Sequence, residues 1–258
     1  MSADRWCALA LRGPDADEAL AFLFVHGDVQ GVLDETDGHV VWLVGRAPSL
    51  PPGLAVEVQE RPVAHADFTI TGLEDDRVIL IADDLLVRPP WVARPARFVG
   101  VELVVPRGGA FGSGEHASTQ AALLLLHRTW SAAQSFADVG CGSGILALYA
   151  QVRGVACIEA CDIDRASVEA ARELLPGARV VVGAADQLRP CEHVIANMTG
   201  AELLASMPMI LRIWRGPGPL VLSGMRQREV DGVVRAVGRA QLDRVRVGDF
   251  TAVAFSAK

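Results

Sequence analysis

The chain has 258 residues, 51% of them apolar and 21% charged, enough to bury one large core with a small companion and too apolar for a disordered segment. A formal net charge of −7 argues against broad electrostatic attachment to nucleic acid or to an anionic membrane, so no direct nucleic-acid binding is expected. Five cysteines (Cys7, Cys141, Cys157, Cys161, Cys191) form no CxxC pair and leave one over, so neither a metal site nor a disulfide framework is expected. The amino-terminal residues lack a basic-then-apolar signal pattern, and charges interrupt every apolar run before it reaches membrane-spanning length. The expectation is a cytoplasmic protein with no membrane partner.

In chain order, Trp6 to Leu11 predicts a strand, and Pro14 with Asp15, Asp17 and Glu18 starts a helix ending near Gly27. Val29 to Leu33 and His39 to Val44 predict two strands around the Asp37-Gly38 hairpin signal, with a further strand from Leu54 to Val58. These elements make a small α/β domain over residues 1–60. Residues 61–98 alternate short β-like runs, Phe68 to Thr71 and Arg77 to Ala82, with prolines and show no helical periodicity, which predicts a connector.

From residue 99 to 258 the pattern becomes an alternation of β and α segments. A strand from Val101 to Val105 leads through a glycine-rich loop, Arg107 to Thr119, into a helix from Gln120 to Trp130. Strands 135–139, 155–161, 178–182, 192–197 and 219–223 alternate with helices 143–153, 165–174, 201–214 and 227–237, before closing strands 242–247 and 250–255. The order calls for an α/β fold, a doubly wound and mostly parallel Rossmann-like sheet with helices on both faces.

The chemistry gathers at Phe136 to Gly144, FADVGCGSG, and at Cys161 to Asp164, CDID. In open α/β sheets, ligands bind beyond the carboxyl ends of the strands where strand order reverses. Gly140, Gly142 and Gly144 are spaced GxGxG, with Ile145 where a dinucleotide-binding GxGxxG places its last glycine, which disfavours a nicotinamide cofactor. Asp138 suits a cationic ligand group and would repel a pyrophosphate. Asp162, twenty-two residues after Gly140, has two oxygens for two ribose hydroxyls. An adenosine carrying an amino acid meets both demands, so S-adenosylmethionine fits best. Asp164 reads as a helix-start residue.

FADVGCGSGILAL followed by CDID resembles the signature of class I S-adenosylmethionine-dependent methyltransferases. AFGSGEHASTQAALLLL at Ala110 to Leu126, HVIANMTG at His193 to Gly200 and LVLSGM at Leu220 to Met225 narrow the resemblance to the bacterial ribosomal protein L11 methyltransferases. The resemblance covers Val99 to the end; the front domain matches only in layout. It implies methyl transfer to a protein amine, a lysine or an amino-terminal amine, with ribosomal protein L11 as partner and the front domain as its recognition domain. It implies that the loop Phe111 to Thr119 covers the cofactor, with Ser113 where the family has threonine and Ser118 also keeping a hydroxyl. His116 falls on the family's histidine, as a catalytic residue or as a capping one. Asn197 corresponds to the asparagine beside the substrate amine. Asp186 would reach the adenine amino group and Ile163 would pack on adenine, unless they are a solvated loop acid and a core residue.

Two departures bear on acceptor choice. The family's tryptophan-and-basic connector segment is not recognisable between Arg61 and Val87, and Met198-Thr199 replaces the apolar pair after the asparagine. A small-molecule N- or O-methyltransferase on the same fold and a non-catalytic S-adenosylmethionine-binding module are therefore the alternatives.

Overall fold

A computed structural model describes residues 6–35, 37–61, 77–106 and 111–257. The chain divides between Asp75 and Asp76 into two compact units.

In the first unit, β1 (Trp6–Arg12), β2 (Asp28–Glu35), β3 (Gly38–Val44) and β4 (Glu57–Arg61) form an antiparallel sheet in the order β2-β3-β1-β4. Helix α1 (Ala16–His26) buries Ala16, Ala19 and Leu23 against Leu9, Leu11, Val41 and Leu43, which alternate along their strands as a half-buried sheet requires. Residues 54–56 remain irregular, so β4 starts three residues later than the apolar run from Leu54 suggests. The expected strand Phe68 to Thr71 lies outside the described residues.

The second unit begins earlier than the sequence suggests. Residues 77–98 were expected to be connector, yet β5 (Ile79–Ala82) and β6 (Leu85–Arg88) pair antiparallel, and β6 pairs in parallel with β7 (Val101–Val104). Leu85, Leu86 and Val87 are fully buried, so this short apolar run joins the larger core in spite of the prolines that follow.

Next come α2 (Ala117–Arg128), β8 (Ser135–Val139), α3 (Ile145–Val152), β9 (Cys157–Asp162), α4 (Arg165–Leu174) and β10 (Arg179–Val182). After them stand a 3-10 turn at Ala185–Gln187, β11 (His193–Asn197), α5 (Gly200–Ile213), β12 (Leu220–Arg226), α6 (Gln227–Val237), β13 (Gln241–Val247) and β14 (Phe250–Phe255). The seven-stranded sheet runs β10-β9-β8-β11-β12-β14-β13, parallel except for β14, which is antiparallel to both neighbours. Strand order reverses between β8 and β11, which places a ligand crevice at Val139 and Asn197.

Both sheet faces are covered. Tyr149, Phe136, Leu123 and Leu126 lie in the core under α2, α3 and α4, while Leu203, Met207, Ile210, Val230 and Val233 of α5 and α6 fill the other side. A side chain such as Phe136, with no exposed surface, contributes on the order of 2–3 kcal/mol by burial. Among the described residues, no helix is long and apolar enough to cross a membrane.

Candidate active site

The turn after β8 is built from its backbone. Gly140, Gly142 and Gly144 all have left-handed φ angles, of 69°, 52° and 85°. Gly140 and Cys141 both donate N–H groups to the Cys161 carbonyl, at 2.9 and 3.0 Å, which ties the turn to the end of β9. A Cβ at Gly142 would stand 2.4 Å from the Phe111 carbonyl oxygen, and one at Gly140 would stand 2.8 Å from Met198 Sδ. At Gly142 the obstacle is backbone and only glycine fits; at Gly140 the Met198 side chain can yield, and the left-handed φ is what favours glycine.

Asp138 is fully buried at the end of β8. Its Oδ2 accepts the Ala147 N–H at 3.1 Å, which caps α3 from outside because Gly144 at the helix start has no side chain to do so. Oδ1 accepts no hydrogen bond among the described residues. Burial raises this carboxyl to about 7, against the Ala147 N–H, with Asp162 adding to the rise. An unpartnered buried carboxylate oxygen fits a site meant for a cationic group, reached directly or through water.

Asp162, at the end of β9, uses both oxygens on backbone: Oδ2 accepts the Gly142 N–H and Oδ1 the Asp164 N–H, each at 2.9 Å. Each oxygen keeps a second lone pair for a hydroxyl. Asp164 caps α4 by accepting the Ala166 and Ser167 N–H groups, as a helix-start residue does. Ile163 between them is 83% exposed, which removes core burial as its explanation and leaves an apolar surface beside Asp162. Asp186 is exposed on the 3-10 turn, and its carbonyl accepts from Arg212 Nη2 at 3.0 Å.

Across the crevice, Asn197 ends β11 one residue past the Ala196–Val139 pair. Its Nδ2 donates to Thr119 Oγ1 at 3.4 Å, and its Oδ1 is buried with no partner among the described residues. Thr199 and Glu202 form a capping box at the start of α5, so that departure from the family pattern is a helix cap; Met198 instead lies across Gly140.

The rim is formed by residues 111–116. His116 is the N-cap of α2, its Nδ1 accepting the Ser118 N–H at 3.3 Å and standing 2.7 Å from Ser118 Oγ. Its ring stands 5.1 Å from that of Phe111 and 4.7 Å from that of Phe250. Ser113 Oγ donates to Glu115 Oε2 at 3.0 Å. Phe111 is half exposed.

Asp138, the three glycines, Asp162, Ile163, Thr119 and Asn197 therefore meet at the carboxyl ends of β8, β9 and β11. His116, Ser113 and Phe111 stand on the segment 111–116, which packs on the glycine turn through Phe111 and Gly112. Two further residues join the site: Ser143, whose only signal in the sequence is a hydroxyl inside the glycine motif, and Phe250, which arrives from the last hairpin without a local signal.

Residues 55–248 match the family model for ribosomal protein L11 methyltransferase (PrmA). The chain belongs to that family. A ribosomal protein L11 methyltransferase of Dechloromonas aromatica is 32% identical over 213 residues, covering 79% of this chain and 70% of the relative. One of Burkholderia pseudomallei is 30% identical over 218 residues, covering 83% and 72%. The crystal structure of a ribosomal protein L11 methylase from Lactobacillus delbrueckii superposes with a TM-score of 0.64 at 26% identity, covering 70% of this chain and 98% of that one. The L11 methyltransferase family is a class I family, so this chain is an S-adenosylmethionine-dependent methyltransferase.

Proposed function

We propose that the chain transfers methyl groups from S-adenosylmethionine to amines of ribosomal protein L11, a lysine or an amino-terminal amine, in the cytoplasm. The observation that carries the amine chemistry is the unpartnered Asn197 Oδ1 next to the glycine turn. Oδ1 accepts one N–H of the acceptor and turns its lone pair toward the transferred methyl, while Thr119 holds the amide in that orientation. The names of the matching relatives support L11 as acceptor.

Bound S-adenosylmethionine supplies a sulfonium that makes its methyl carbon electrophilic. Asp162 accepts the ribose hydroxyls, Ile163 packs on adenine with Asp186 near its amino group, and Asp138 faces the cationic amino group. Gly140, Gly142 and Gly144 let the backbone approach, and Phe111, Ser113 and His116 cover the pocket and exclude water. An ammonium acceptor must lose its proton before transfer; desolvation in the pocket lowers its pKa, and the proton leaves to solvent before the pocket is covered. No dedicated base is required.

The test is incubation of the full chain with methyl-labelled cofactor and purified ribosomal protein L11, then with a lysate. Label on L11 is the expected result. Label only on a different protein or on a small amine contradicts this acceptor.

A further inference from the structure

The segment Phe111 to His116 is seated on the glycine turn through one residue, Ser143. The Ser143 N–H donates to the Phe111 carbonyl at 2.7 Å, and the Ser143 hydroxyl donates to the Gly112 carbonyl at 2.8 Å. Ser143 is 8% exposed, so both bonds form away from water, where an acceptor left unpaired is costly. The fit on either side is close. A Cβ at Gly142 would press on the Phe111 carbonyl, and a Cβ at Gly112 would stand 2.8 Å from Ser143 Oγ.

Two further anchors fix the same segment to the core rather than to the turn. Gly114 lies against Val87, where an added Cβ would be 2.9 Å from Cγ1, and His116 caps α2. Ser143 differs from these anchors in belonging to the cofactor turn itself, next to Gly142, whose N–H is held by Asp162. A ligand that orders the turn therefore also favours the seated segment, and by reciprocity the seated segment favours the ligand.

We propose that Ser143 is a positioning residue that couples seating of the Phe111–His116 segment to cofactor binding, its two donated hydrogen bonds holding the segment over the glycine turn. This rests on the reading above that the segment covers S-adenosylmethionine. The segment then slows cofactor escape without contributing an atom to methyl transfer.

Two measurements on the full chain test it. Amide exchange with and without S-adenosylmethionine asks whether residues 111–116 become protected; no added protection overturns the covering reading itself. Stopped-flow displacement of bound S-adenosylmethionine then compares wild type with Ser143→Ala, which removes the donor hydroxyl, and Gly112→Ala, whose Cβ would push the Ser143 hydroxyl out of place. Dissociation about 3- to 10-fold faster in both variants is expected, with KM for the cofactor rising by more than kcat falls. Ser143→Thr, which keeps the hydroxyl, restores slow dissociation. Protection of the segment together with wild-type dissociation rates in both alanine variants overturns the role of Ser143.

Discussion

Asn197 Nδ2 donates to Thr119 Oγ1 across 3.4 Å, joining the end of β11 to the first turn of α2. The contact occupies the amide nitrogen, and the oxygen has no partner among the described residues. Asn197→Ala is expected to lower kcat by about 100-fold, the scale of a misplaced reactant, with little change in cofactor affinity. Thr119→Val lowers turnover in the same direction and by less. Steady-state kinetics with cofactor titrated by calorimetry checks both; an Asn197→Ala enzyme with undiminished kcat contradicts the assignment.

The buried Asp138 makes the cofactor-free protein sensitive to pH near neutrality. Its carboxyl is raised from 3.8 to about 7 by burial, so the folded state holds a proton that the unfolded chain has released. Stability from this group is present below about pH 4, is lost as pH rises through 7, and stays lost above. Asp138→Asn removes the charge and keeps an oxygen for the Ala147 N–H. Its melting temperature without cofactor should exceed that of wild type by a margin that grows from pH 4 to 7 and then levels, while its affinity for S-adenosylmethionine falls. Equal melting curves at pH 8 contradict this.

Glu159 ties β9 to the start of β10 and to Arg189 after the 3-10 turn. Its side chain is 2% exposed and accepts from Arg179 Nη1 and Arg189 Nε, both at 2.7 Å. Burial pushes its carboxyl up, but the hydrogen bonds from Arg189 and Arg179 outweigh it and hold the pKa below the usual value. The stability it adds is present at neutral pH and lost as pH falls through that lowered pKa. Glu159→Gln, which keeps the side-chain volume, should lower unfolding free energy by about 1–3 kcal/mol in urea at pH 7, a difference that shrinks in strong acid.

Much of the second unit was legible because its boundaries carry local signals. Helix α4 spans 165–174 as the sequence implies, since Asp164 caps it, and α6 spans 227–237 because Gly238 takes a left-handed φ of 61° after it. The cofactor turn was legible for the same reason: its glycines and acids stand close in sequence. Helix α2 begins at Ala117 rather than Gln120, because His116 acts as its cap, the second of the two roles its position offered, and starts the helix inside the glycine-rich stretch. The β-like run Arg77 to Ala82 contains β5, whereas β6 was hidden because its four residues precede two prolines and are stabilised by pairing with β7 and by burial, which no local periodicity reports. The contacts of His116 with Phe250 and of Ser143 with Phe111 join segments far apart in the chain, and only the fold brings them together.

Whether the glycine turn and Asp162 form an S-adenosylmethionine pocket is tested most directly by isothermal titration of the cofactor into wild type and Asp162→Ala. One-to-one binding is expected in wild type, weakened at least about 100-fold in the variant by loss of two charge-assisted hydrogen bonds. Unaltered cofactor affinity in a folded Asp162→Ala protein would contradict it.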